Sequence, residues 1–340
     1  MRQLQFGYNI RVQKIYTGYA GFMTIHSDGS VRTWSDSPDA LGRNGDPTIP
    51  TVVDFKGIKI TDGGCGDSFM VALGSGHIFM WGSIKNTGFK VRNKTVNKHK
   101  FPLNITRKFY PRSKPQKFVQ VAVGSNHGLA ATERGCVYTW GDSSCGQSGF
   151  RESVRSPRKS LIPTRITKTH VVSSVICGDN NSFALGTSII VAWGLNDCNQ
   201  TGVGATRHYD HVVVPAPALL PMPISSIVQI AAGSRCTIVL QSNGRIVAFG
   251  DTYFLSGSDE SPIELDIPHE IHQIAASDKT YLVLTKDGRV LELGRVVHYY
   301  CYYYHEIDLN YRVVQIAASP MCGMALTDNG DVITWKTFIK

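Results

Sequence analysis

One supersecondary unit recurs seven times along the chain, and this repetition restricts the fold more than any other property of the sequence. In its clearest copy the apolar run Ile230-Ala-Ala-Gly leads through a short polar loop into a second apolar strand, Cys236–Leu240. The turn Ser242-Asn-Gly follows, and a third strand closes on Phe249-Gly250. A second copy runs from Val121-Ala-Val-Gly through His127–Ala131 to Tyr138-Thr-Trp-Gly141. The third strand ends at Trp34, Trp81, Trp140, Trp193, Phe249, Leu293 and Trp335, spaced 42 to 59 residues apart. Asp28-Gly29, Asn243-Gly244, Asp287-Gly288 and Asn329-Gly330 precede several of these strands and supply the positive φ angles of a tight hairpin. Units of this length, each holding several short strands, are propeller blades.

After each aromatic step comes a long variable loop and then an apolar stretch often marked by proline: Pro102-Leu-Asn-Ile, Pro163-Thr-Arg-Ile, Pro262-Ile-Glu-Leu. These read as outermost fourth strands, where a missing N–H is tolerated. The chain stops shortly after the third strand of its seventh unit and starts with Leu4-Gln-Phe-Gly-Tyr-Asn-Ile, which is expected to supply the missing fourth strand. Pairing the two ends would remove two exposed sheet edges. The expectation is an all-β protein: a single seven-bladed β-propeller domain over residues 1–340, its ring closed by the N- and C-terminal segments.

Composition agrees. With 42% hydrophobic and 18% charged residues the chain can bury a large core, and 33 glycines against 15 prolines suit many tight turns. No run approaches the roughly 18 uninterrupted apolar residues of a membrane helix, and the first residues lack an apolar leader core. A soluble, intracellular protein with no membrane contact is expected. Its eight cysteines form no C-x-x-C pair, so they are read as reduced thiols, without disulfides or metal ligation. No nucleophile elbow, phosphate loop or dinucleotide fingerprint occurs, so no cofactor and no covalent chemistry are expected.

Charge is distributed unevenly. The formal net charge is +9, and between Ser83 and Lys117 there are eleven basic residues and no acidic one. Up-and-down connectivity puts the loop between strands one and two on the same face as the long loop after strand three. The strand two–three turns and the links between blades occupy the other face. Arg107, Lys108, Arg112, Lys114 and Lys117 fall in the link between blades two and three, on that other face. A second group, Arg151, Arg155, Arg158, Lys159, Arg165 and Lys168, lies in and after the next long loop. Clustered cations of this kind suit phosphate contacts with little sequence reading. The run His298-Tyr-Tyr-Cys-Tyr-Tyr-Tyr-His305 is read as an edge strand with local packing.

Three passages carry a family resemblance: Asp39-Ala-Leu-Gly-Arg43; Cys65-Gly-Asp-Ser-Phe-Met-Val-Ala-Leu73 with Phe79-Met-Trp-Gly-Ser-Ile-Lys-Asn-Thr-Gly88; and Tyr138-Thr-Trp-Gly-Asp-Ser-Ser-Cys-Gly-Gln147. They resemble the regulator of chromosome condensation family, the nucleotide exchange factors for the small GTPase Ran. The resemblance implies a guanine nucleotide exchange factor that stabilises the nucleotide-free GTPase. Lys85, Asn86, Thr87, Gly88 and Phe89 would form a wedge against the GTPase. Asp67, Asn126 and Cys236 would lie in GTPase-facing loops. Arg107, Lys108, Arg112, Lys114, Lys117, Arg155, Arg158, Lys159 and Lys168 would contact chromatin, both nucleosomal DNA and the histone acidic surface. A nuclear, chromatin-associated monomer follows, with some cytoplasmic presence possible.

The chain departs from the family pattern at several points. Asn126 stands where the family has an aspartate, while Gly21, Cys236 and Cys322 replace repeat histidines. His127 keeps the usual repeat histidine and is read as structural. The competing reading is a non-catalytic propeller scaffold that binds another protein through one face.

Overall fold

The computed structural model describes the chain except residues 7–9, 36–39, 84–89, 92–93, 96–97, 110–115, 150–159, 166–170, 188, 205–212, 221–225, 257–261, 279, 295–303, 321 and 338–340. Seven antiparallel four-stranded sheets follow one another along the chain. Their innermost strands are Val12–Gly18, Asp62–Cys65, Phe118–Val123, Val172–Cys177, Ile227–Ala232, Ile271–Ser277 and Val313–Ala318. These strands stand side by side around a central channel, and each sheet is one blade of a β-propeller.

Packing explains why the third strand ends in an aromatic residue. Trp81, Trp140 and Trp193 have no exposed surface, and their rings fill the gap between one blade and the next. Where the cross-strand neighbour of a tryptophan is glycine, no alternative fits. Gly128 pairs with Trp140, and a Cβ on it would lie 2.3 Å from the indole ring. Gly323 faces Trp335 in the same way, at 2.1 Å.

The innermost strands face a different problem. Each leaves one backbone edge without a ladder partner, because the neighbouring blade is rotated away. Glutamine amides supply the missing bonds, since a carboxamide carries one donor and one acceptor side like a peptide group. Gln120 Nε2 donates to Val175 O at 3.1 Å while its Oε1 accepts from Val175 N at 2.9 Å. Gln229 clasps Ile274 and Gln273 clasps Ile316 through the same pair of bonds. Between blades one, two and three Asp62 takes this role, accepting from the Tyr16 hydroxyl at 2.8 Å and from Val121 N at 3.0 Å. A register shift one residue before each clasping glutamine, such as between Ile271 and Gln273, marks a β-bulge that turns the amide toward the next blade.

The ends of the chain meet in blade seven, as expected, but in a different register. Arg2–Leu4 pairs with Val332–Thr334, so the strand precedes the Leu4–Ile10 stretch taken from the apolar pattern. Gln3 reinforces the pairing with a 2.8 Å bond to Asp331. Phe6 turns away and packs edge-on against His26 at 5.2 Å. The proline-marked segments are outer strands: Lys98–Asn104, Ser160–Arg165 and Ile263–Leu265. Of the tyrosine run, Tyr304 opens the outer strand of blade six, Tyr304–Ile307, and residues 298–303 lie outside the described residues. All seven described cysteines are free thiols.

Gly128→Ala is expected to destabilise the fold by about 1–3 kcal/mol or more, because the tryptophan behind it has no space to yield; chemical denaturation measures it. Gln273→Met is expected to leave the Ile316 peptide unsatisfied at a cost of about 1–3 kcal/mol. Faster hydrogen exchange at the Ile316 amide, with amides of distant blades unchanged, is the local signature.

Candidate partner-binding faces

The loops between strands one and two gather at one mouth of the channel. Their second position is held in turn by Tyr19, Asp67, Ser125, Asp179, Ser234, Asp278 and Pro320, so aspartates recur in blades two, four and six. Tyr19, Asp67, Ser125 and Asp179 line the recess at the mouth. Backbone bonds chain the loops across blades: Ala20 N to Gly66 O, Asp67 N to Ser125 O and Ser125 N to Asp179 O, at 2.9, 2.9 and 3.1 Å. Through this chain each loop's position depends on its neighbour.

Asp67 and Asn126, both expected in the partner-facing loops, meet here. Asn126 Nδ2 donates to Asp67 Oδ2 at 3.1 Å, across the boundary between blades two and three. Burial raises the Asp67 carboxyl, opposed by the bonds from Ser125 and Asn126 that favour its charged form. Asp179 lacks such relief. Burial, then the facing Asp278 and Asp67, push its carboxyl up to about 7. Asp179 and Asp278 were not singled out in the sequence, although Gly178-Asp179 and Ser277-Asp278 occupy the repeat step of Gly66-Asp67.

Cys236 corrects the third expectation. Its side chain has no exposed surface and packs between blades five and six, where the Tyr281 hydroxyl donates to the Cys236 carbonyl at 3.3 Å. Burial raises the thiol, and no partner could touch it in the folded ring. The exposed residue of that loop is its predecessor, Arg235, which pairs with Asp251 at 3.2 Å and approaches Asp197 at 4.0 Å. His127 occupies the same step as Cys236 and is equally enclosed. Its Nε2 meets Ser182 Oγ at 2.9 Å, and burial lowers its pKa to about 4, which keeps the ring neutral as a clamp between blades.

The loops after strand three hold the rim. Trp81 Nε1 donates to Ala40 O at 2.8 Å, and Trp193 Nε1 to Gln147 O at 2.9 Å, so each loop caps the tryptophan of the following blade. Within the Asp39–Arg43 passage, Arg43 is buried and donates to the carbonyls of Thr33, Asn44, Asp46 and Ile49. That passage is therefore a structural hub. Blade two departs from the pattern. Trp140 Nε1 is buried with no acceptor among the described residues, and the connection before it is the basic insertion after Ser83. Of that insertion the short hairpin Lys90–Val91 with Lys94–Thr95 is described, while Lys85, Asn86, Thr87, Gly88 and Phe89 lie outside the described residues.

On the opposite face Arg107 and Lys108 form an exposed 3-10 turn, and Lys117 is exposed beside the turn at Gly76. Lys56, Lys59 and Arg134 lie on the same face over blades one to three, interleaved with the exposed carboxylates Asp28, Asp54 and Glu133. In blade six the same face pairs its cations, with Lys286 on Glu270 at 3.0 Å and Arg289 on Asp287 at 2.8 Å. Arg112, Lys114, Arg155, Arg158, Lys159 and Lys168 lie outside the described residues.

Comparison with known proteins accords with this architecture. Protein pim1 of Schizosaccharomyces pombe is 26% identical over 317 residues, covering 81% of this chain and 57% of its own. Guanine nucleotide exchange factor SRM1 of Saccharomyces cerevisiae is 28% identical over 227 residues, covering 66% and 45%. The chain thus spans about half the length of these curated relatives. Among solved structures, Prp20p from Saccharomyces cerevisiae, studied for its binding to Gsp1p and histones, superposes with a TM-score of 0.77 at 19% identity, covering 96% of this chain and 83% of that one. Human WBSCR16 gives 0.71 at 20% identity, covering 88% and 86%. The model of the RCC1-like domain matches residues 2–308, and the chain belongs to that family.

Proposed function

We propose that the protein is a guanine nucleotide exchange factor for Ran that works from chromatin. The observation that carries this reading is the meeting of Asp67 and Asn126 across two blades, on the face from which the basic insertion of blade two departs. A relative named as an exchange factor supports it. Such a factor breaks no covalent bond. It binds the nucleotide-free GTPase more tightly than the loaded one, and linkage lowers nucleotide affinity by the same factor. The aspartates at the mouth suit a basic GTPase surface, and residues 85–89 would press on the phosphate-binding region as a wedge.

The opposite face would hold the protein on the nucleosome. Exposed Arg107, Lys108 and Lys117 suit DNA phosphates, continued by Arg112 and Lys114. In and after the long loop of blade three, which starts on the mouth side, Arg155 and Arg158, with Lys159 and Lys168, would turn back to reach the histone acidic surface, since guanidinium forks match paired carboxylates. Nuclear localisation and a role in nucleocytoplasmic transport and the cell cycle belong to the same reading. The neutral amide of Asn126 favours a second one, a scaffold that kept the ring and changed partner.

Release of a fluorescent GDP analogue from Ran tests the choice. Acceleration by the wild type, reduced at least about tenfold by Asp67→Ala and by Asn126→Ala, is expected from the loss of a desolvated charged contact. No acceleration by folded protein would leave the scaffold. Asp179 adds a pH signature. Its folded pKa of about 7 lies above the usual 3.8, so its contribution to stability falls as pH rises through that window and is least favourable above it. Asp179→Asn is expected to raise the melting temperature above pH 7 and to change it little near pH 4. The enclosed His26 and His127, both lowered to about 4, give the opposite slope between about 6.5 and 4 and are unaffected by that substitution.

A further inference from the structure

The outer edge of blade two carries a feature that neither exchange nor the link between blades two and three uses. Its fourth strand, Lys98–Asn104, runs down the rim from the face of the basic insertion to the opposite face. The pairing begins with Lys98 on Ser83 and His99 on Gly82, then resumes with Leu103 on Met80. Lys100, Phe101 and Pro102 are thus set opposite Trp81 alone and bulge out of the ladder. Phe101 is 48% exposed, the Lys100 ammonium stands 6.0 Å over its ring, and His99 Nδ1 lies 2.7 Å from the Phe101 carbonyl, bracing the bulge.

Lysines on an outer strand often serve only to discourage edge-to-edge pairing. Here the other six outer strands, Arg2–Leu4, Thr51–Val53, Ser160–Arg165, Val213–Leu219, Ile263–Leu265 and Tyr304–Ile307, contain no lysine. Edge protection in this ring therefore does not require it. Protection also gives no reason to expose a phenylalanine at the centre of the strand. The segment between residues 83 and 117 carries no carboxylate of its own. At the foot of the strand the cationic path continues into Arg107 and Lys108.

We infer that this edge is a binding site for single-stranded nucleic acid, with the Phe101 ring as a stacking platform and Lys98 and Lys100 as phosphate contacts. A duplex hides its base faces, so a protruding ring flanked by cations matches unpaired bases rather than a double helix. Stacking on an aromatic ring tolerates any base, and ammonium groups at intervals follow the sugar-phosphate chain. The site is independent of the exchange reading, because it touches neither the channel mouth nor the strand one–two loops.

Fluorescence anisotropy with labelled oligo(dT), oligo(U), a duplex of equal length and polyglutamate tests this on the full chain. The single strands are expected to bind more tightly than the duplex or polyglutamate. Phe101→Ala should weaken single-strand binding by about tenfold and leave the duplex unchanged, while Phe101→Trp should preserve it. Lys98→Gln with Lys100→Gln should lower the salt slope for single strands by about 1.4. Equal binding of single strand and duplex with no loss in Phe101→Ala overturns the proposal. Preference for polyglutamate also overturns it, in favour of an acidic protein partner. Nucleotide release from Ran should be the same in wild type and Phe101→Ala.

Discussion

The ring depends on the amide clasps between innermost strands. A propeller brings seven sheet edges together around a channel where they cannot hydrogen-bond to one another in the ordinary ladder. A glutamine two steps into the strand restores that bond with a side chain, offering donor and acceptor from a single carboxamide. Gln120, Gln229 and Gln273 do this for the next blade, and Asp62 reaches blades on both sides of its own. Because each clasp fixes a backbone position in the following blade, it also fixes where that blade's first loop emerges. The meeting of Asp67 and Asn126 at the mouth is therefore set by bonds made deep in the channel.

Structural and partner-facing duties alternate along each loop. In the strand one–two loops the second residue looks toward the mouth, the third toward the surface, and the fourth turns in between blades. Asp67, Asn126 and His127 illustrate the three environments in neighbouring loops. The loops after strand three divide similarly, with a buried carbonyl capping the next tryptophan and polar residues left outside. Blade two breaks that division, since among the described residues the indole of Trp140 has no carbonyl cap of the kind that Trp81 and Trp193 receive. The composition of its insertion also differs from the glycine- and glutamine-containing loops after blades three and four.

Most of the fold was legible because the blade period is written in large residues and turn dipeptides. Tryptophan spacing located five of the third strands, Phe249 and Leu293 marked the other two, and Asp-Gly and Asn-Gly pairs located hairpins. The N-terminal register was misjudged because Leu4–Ile10 has the apolar content of a strand, whereas three residues suffice when Gln3 adds a side-chain bond. The site was legible in part. Asp67 and Asn126 stand out by their place in the repeat, but Cys236, one step later than Asn126 in the corresponding loop of blade five, points inward. One residue of phase separates a contact surface from a core position, and composition does not reveal it. Asp179 and Asp278 become visible only when the loops are aligned step by step around the ring.

The three-residue strand that completes blade seven joins residues 2–4 to 332–334, so nearly the whole chain lies inside one loop. That makes the last blade a product of the slowest kind of contact, one that must close a long chain segment before its enthalpy is realised. During synthesis blades one to six can form in order, each from contiguous residues, while the first strand waits without its sheet. Until residues 332–334 emerge, the growing ring is an open arc with an exposed edge at its leading blade. Any interruption of translation before residue 332 leaves that arc permanently unclosed and prone to pairing with another chain.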